Sequence, residues 1–128
     1  MSQIASATVS PRPCDVDQLL QSLAGNRPAA RRLVHIFLDM YPGKVALIDA
    51  ALEGADWVAL RRVVHDLRGS CAMFSASACL ALAGKLEDAL PEHVDPKLPE
   101  DCARFKAALA DVAVELHLFL DGQPDSSQ

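Results

Sequence analysis

Apolar residues recur three and four positions apart along almost the whole of this chain, and no stretch alternates apolar with polar. A spacing of three and four lines one face of an α-helix, whereas a half-buried strand needs a period of two. The chain is therefore committed to an all-α fold. Val16, Leu19, Leu20 and Leu23 predict a short first helix, capped by Asp15 and stopped at Gly25-Asn26. A long second helix opens at Pro28 and carries Leu33, Ile36, Phe37, Met40, Val45, Ile48 and Leu52. Pro42-Gly43 lies inside it and predicts a kink or a break. After Gly54-Ala55-Asp56 a third helix is expected from about Trp57 to Phe74, and a fourth from about Ala78 to Leu90. Pro91 to Pro99 holds three prolines and reads as a loop. A fifth helix follows, with Cys102, Phe105, Leu109, Val112, Leu116 and Phe119 on one face. Short connections make neighbouring helices antiparallel. The expected architecture is an antiparallel four-helix bundle with an additional short N-terminal helix. It spans residues 15–121, between flexible tails at 1–14 and 122–128.

Composition narrows the function classes. A chain of 128 residues supports one domain with a core. Twelve Lys and Arg against seventeen Asp and Glu leave a net charge of −5, which disfavours a general nucleic-acid binder. The opening MSQIASATVS has neither a basic start nor an apolar run, so no secretory signal is expected. The longest uncharged stretch, Gly69 to Gly84, is 16 residues and contains three serines, short of the roughly 20 apolar residues of a membrane span. A cytoplasmic protein with no membrane contact is expected. Cys14, Cys71, Cys79 and Cys102 form no paired-ligand motif and read as small buried hydrophobes, so neither a metal site nor a disulfide is expected. With no long heptad seam, the chain reads as a monomer.

The third helix carries the chemistry. On a helical wheel with Leu60 at zero, Leu60, Val63, Val64, Leu67, Cys71 and Phe74 fall between about 300° and 40°, a complete core-facing stripe. His65 falls at about 140° and Ala72 at about 120°, both toward solvent. Arg61 at i−4, Arg68 at i+3 and Gly69 at i+4 are the neighbours of His65 one turn away. Imidazole is a nucleophile at whichever nitrogen holds the lone pair, guanidinium binds phosphate oxygens, and a mid-helix glycine admits a partner surface close to the ring.

The stretch Val64-His65-Asp66-Leu67-Arg68-Gly69-Ser70 resembles the H-x-L-K-G-[ST] motif of histidine-containing phosphotransfer (HPt) domains. Phe37 to Pro42 is similar to that family's F-x-x-x-Y-P, Asp56 stands where it carries an aspartate before the active-site helix, and Leu80 to Leu86-Glu87 resembles its L-x-x-x-x-x-LE. The resemblance covers roughly residues 30 to 90. It implies a bacterial two-component phosphorelay, in which the chain accepts a phosphoryl group from a receiver-domain aspartate and passes it to another receiver. On that reading His65 is the phosphoacceptor, Arg68 screens phosphate charge in place of the family lysine, and Gly69 gives clearance to the receiver. Glu87, 22 residues beyond His65, is a candidate for orienting the imidazole, and Arg61 and Ala72 for the docking surface. The resemblance implies a carrier rather than an enzyme, with no cofactor of its own. Mg²⁺ is expected on the partner, a response-regulator receiver or a hybrid sensor kinase. Ser75 departs from the family at a position that is often glycine. The rival reading is a helical adaptor that binds a signalling partner without phosphate chemistry.

Overall fold

The computed structural model describes residues 12–122. Five helices follow one another there: α1 (Val16–Ser22), α2 (Arg27–Gly54), α3 (Trp57–Met73), α4 (Ser77–Ala89) and α5 (Leu98–Asp121). Among the described residues there is no strand, and no helix is long and apolar enough to cross a membrane.

Short polar side chains start the first three helices. Asp15 accepts from the amide of Gln18 at 3.0 Å, Asn26 from that of Ala29 at 3.0 Å, and Asp56 from that of Ala59 at 3.1 Å, each satisfying a first-turn donor with no helical partner. Asn26 thus opens α2 as well as closing the turn after α1. That turn and the next two need left-handed backbone. Gly25 adopts it at φ +78°, and Ala24, Ala55 and Ser75 adopt it without being glycine. Ser75 therefore makes the turn where a glycine is usual.

Two expectations about prolines are corrected. Of the kink or break expected at Pro42-Gly43, the break does not occur, since α2 runs unbroken through Pro42 for 28 residues. Proline removes one backbone donor, and the buried positions on both sides, Phe37 and Ile48, hold the helix against the core. Likewise the loop expected to Pro99 ends at Lys97, because proline is tolerated in a first turn, where its missing N–H has no helical partner, and Pro99 stands in the first turn of α5.

α2, α3, α4 and α5 each pack on two neighbours and close a ring, α2–α3–α4–α5, with α1 laid against α2. Cross-links between helices fix the directions. Lys44 bonds Asp66 across α2 and α3, Lys85 pairs with Asp101 across α4 and α5, and Lys106 bonds Asp49 while Arg31 reaches the Leu120 carbonyl across α5 and α2. Between α2 and α5 the bonded numbers run in opposite senses, 31 with 120 and 49 with 106, and the single links of α2–α3 and α4–α5 join residues about equally far from the connection between them, so these neighbours are antiparallel. The wheel stripe of α3 is the centre of the core: Leu60, Val64, Leu67, Cys71 and Phe74 are almost fully buried. The phenyl ring of Phe74 meets that of Phe37 edge-on at 5.5 Å. The folded part begins before Asp15, since Cys14 is buried and Arg12 bonds Glu115. The remainder of the two expected tails, 1–11 and 123–128, lies outside the described residues.

Candidate functional site

The local sequence forces His65 outward. Four core positions, Val63, Val64, Leu67 and Cys71, fix the rotation of α3, so His65, Asp66, Arg68, Gly69 and Ala72 all emerge on its open side. The His65 side chain keeps 67% of its surface exposed. A Cβ added to Gly69 would meet nothing within 4 Å, so the surface beside the ring is open.

The imidazole is nonetheless held from below. Its Nδ1 lies 3.2 Å from Oε2 of Glu87 on α4. The other oxygen, Oε1, accepts from Arg68 at 3.2 Å. Glu87 is buried, with only 6% of its side chain exposed, whereas Arg68 retains 47%. A carboxylate withdrawn from water needs charged or hydrogen-bonding partners, and both of its oxygens have one. An ionised carboxylate only accepts, so the contact requires the proton on Nδ1 of the ring. In the neutral ring the lone pair then belongs to Nε2, on the far side from Glu87. The geometry yields an exposed, oriented nucleophile beside a guanidinium.

Arg61 contributes from one turn earlier, where its Nε donates to the main-chain oxygen of Glu87 at 3.1 Å. Val58, Arg61, Arg62, His65, Asp88 and Pro91 are among the residues lining a groove of about 700 Å³ between α3 and the end of α4. On the opposite flank, Lys44 bonds Asp66 at 3.1 Å. Lys44 was not singled out by the sequence, and its signal would have been the antiparallel register that brings α2 and α3 together about a common turn. Arg31 is directed elsewhere: its Nη1 donates to the Leu120 carbonyl at 3.2 Å.

The other candidate groups do not converge. His35, His93 and His117 are exposed while all four cysteines are buried and free, and no group of three or more His, Cys, Asp or Glu among the described residues is arranged to hold a metal. Cys71 and Cys79 meet across the α3–α4 turn. Their mutual hydrogen bond and burial push the Cys71 thiol well above its ordinary range. Burial pushes Cys14 up to about 12 and Cys102 up to about 11, which keeps both as neutral core thiols.

The family model described as Hpt domain matches residues 32–115, a span that runs from α2 through α5 and includes His65, Arg68, Gly69 and Glu87. No curated protein and no solved structure matches the chain. With well over half of its length matched and the bundle in place, the chain belongs to the Hpt domain family, whose members serve histidine phosphotransfer in phosphorelays with response-regulator receiver domains.

Proposed function

We propose that His65 accepts a phosphoryl group from a receiver-domain aspartate and returns it to the aspartate of another receiver. The observation that carries this reading is the pairing of an exposed imidazole with a buried carboxylate on its Nδ1 side. Nε2 attacks the phosphorus of the aspartyl phosphate, the Nε2–P bond forms, and the P–O bond to the aspartate breaks. The ring then carries positive charge shared with Nδ1–H, and Glu87 stabilises it without taking the proton. Transfer to the next receiver reverses these bond changes. Arg68, tied to Glu87 at rest, lies within one helical turn of the ring and neutralises phosphoryl oxygens as charge moves.

The open space at Gly69 and the small side chain of Ala72 suit close approach of a receiver. Phosphoryl transfer also needs a divalent cation near the acyl phosphate. We assign that Mg²⁺ to the receiver, because Glu87, the carboxylate against the ring, has both oxygens engaged by His65 and Arg68. The chain is thus a carrier whose rate depends on its partner. We place it in the cytoplasm as a monomer.

His65→Gln tests the assignment. It removes the nucleophile from an exposed position, so phosphate uptake is lost while helicity and melting temperature stay as in the wild type. Acid-labile phosphate retained by that variant would overturn the role of His65.

A further inference from the structure

In an α-helix the carbonyl of each residue accepts from the amide four residues on. For Glu87 that residue is Pro91, which has no N–H. The preceding carbonyl, that of Leu86, is satisfied normally by the amide of Leu90 at 3.0 Å. The Glu87 carbonyl takes its donor from the side: Nε of Arg61, on α3, at 3.1 Å. The cation also lies at the carbonyl end of α4, where the aligned peptide dipoles favour positive charge. One residue therefore uses both of its polar parts at the site. The side chain of Glu87 holds the imidazole, and its main chain is held by Arg61.

We propose that Arg61 is a positioning residue. By capping the Glu87 carbonyl that Pro91 leaves without a donor, it fixes the last turn of α4 so that the carboxylate stays against Nδ1 of His65. It thereby sets the tautomer that leaves the lone pair on Nε2. The inference rests on the reading of His65 as the phosphoacceptor and deepens it, since tautomer and reactivity are linked through the same ring.

Arg62 supplies the internal control. It is the next residue, lines the same groove and carries the same charge, but forms no bond to Glu87. Glutamine supplies a second comparison, because its side-chain nitrogen is as many bonds from Cα as Nε of arginine and can donate to the same carbonyl without the charge.

The test is ¹⁵N NMR of the imidazole in the full, unphosphorylated chain at a pH where His65 is neutral, with phosphate uptake from phosphoramidate measured in parallel. Wild type, Arg61→Met, Arg61→Gln and Arg62→Met are compared. Arg61→Met is expected to move the tautomer ratio toward Nε2–H by about tenfold and to slow uptake by a similar factor, the change expected for losing one charge-assisted hydrogen bond. Arg61→Gln and Arg62→Met stay within about threefold of wild type, since one keeps a donor and the other leaves the bond untouched. A wild-type ratio in Arg61→Met overturns the proposal. So does an Arg61→Gln shift as large as that of Arg61→Met, or an equal shift in Arg62→Met, because either outcome makes charge the cause. If wild type takes no phosphate on His65, the functional reading fails on its own, and the tautomer ratios still decide the role of Arg61.

Discussion

The α3–α4 hairpin has two ends built on opposite rules. At the closed end Cys71, Phe74, Ala76 and Cys79 are almost fully buried, and the main-chain amide of Ala76 bonds the Cys71 carbonyl at 2.8 Å. At the open end Arg61, His65 and Arg68 are exposed, and every bond between the two helices there involves Glu87. The closed end owes its order to apolar packing and main-chain bonding. The open end owes its order to one buried carboxylate and a carbonyl that borrows a donor. Stability and chemistry are thereby separated along a single pair of helices. Damage to the first should unfold the protein, and damage to the second should silence it while it remains folded.

Several substitutions break or sharpen that contrast. The largest effect is expected from His65→Gln, which abolishes phosphate uptake yet leaves the thermal transition in place, as read by radiolabel incorporation and circular dichroism. Phe74→Ala does the reverse. It empties a ring-sized volume in the core and costs about 3–5 kcal/mol of folding free energy by denaturant titration, without altering any group at the site.

Glu87→Ala falls between these. Losing a hydrogen bond to a charged group should slow uptake from phosphoramidate by about tenfold or more, and it frees Arg68 from its partner. Gly69→Gln separates the two ends further through effects of opposite sign. A Cβ at this position meets nothing within 4 Å, and glutamine relieves part of glycine's helix penalty of about 1 kcal/mol, so the melting temperature should rise slightly. Transfer from a receiver should nonetheless slow several-fold in a stopped-flow or quench assay, because the clearance is gone.

The smallest effect concerns pH. Cys14 and Cys102 are held above their ordinary 9.0, at about 12 and about 11, by burial. A group whose folded pKa is raised stabilises the fold fully below its unfolded value and loses that contribution as pH climbs toward the folded one. Denaturant midpoints should therefore hold up to about pH 9 and decline above it. The decline should be shallower in a Cys14→Ala/Cys102→Ala variant.

Much of this was legible in the sequence, and the limits are physical. The α3 wheel located the core stripe and the outward face because 17 residues of clear period leave one rotation. His65, Arg68 and Gly69 followed from that rotation and from the motif. Pro42 did not end the helix, since a single lost donor is a local cost and the packing of α2 on both sides is a larger gain. Pro99 misled because proline's meaning depends on whether it falls inside a helix or in its first turn. Glu87 was found as a position, but its burial was not, because burial depends on how closely α4 approaches α3. The bond from Arg61 was hidden for the same reason. Its only trace in the sequence was a proline four residues after Glu87, which announces a carbonyl in need of a donor without saying which side chain answers.

The central claim is that His65 carries phosphate because Glu87 presents its Nε2. The direct measurement is transfer from a pre-phosphorylated receiver domain to the full chain, followed by mass mapping of the modified residue. The account predicts one base-stable, acid-labile phosphate, located on His65. Phosphate mapped to any other residue, or a His65 left unmodified by a panel of receivers and by phosphoramidate in the folded protein, would contradict it.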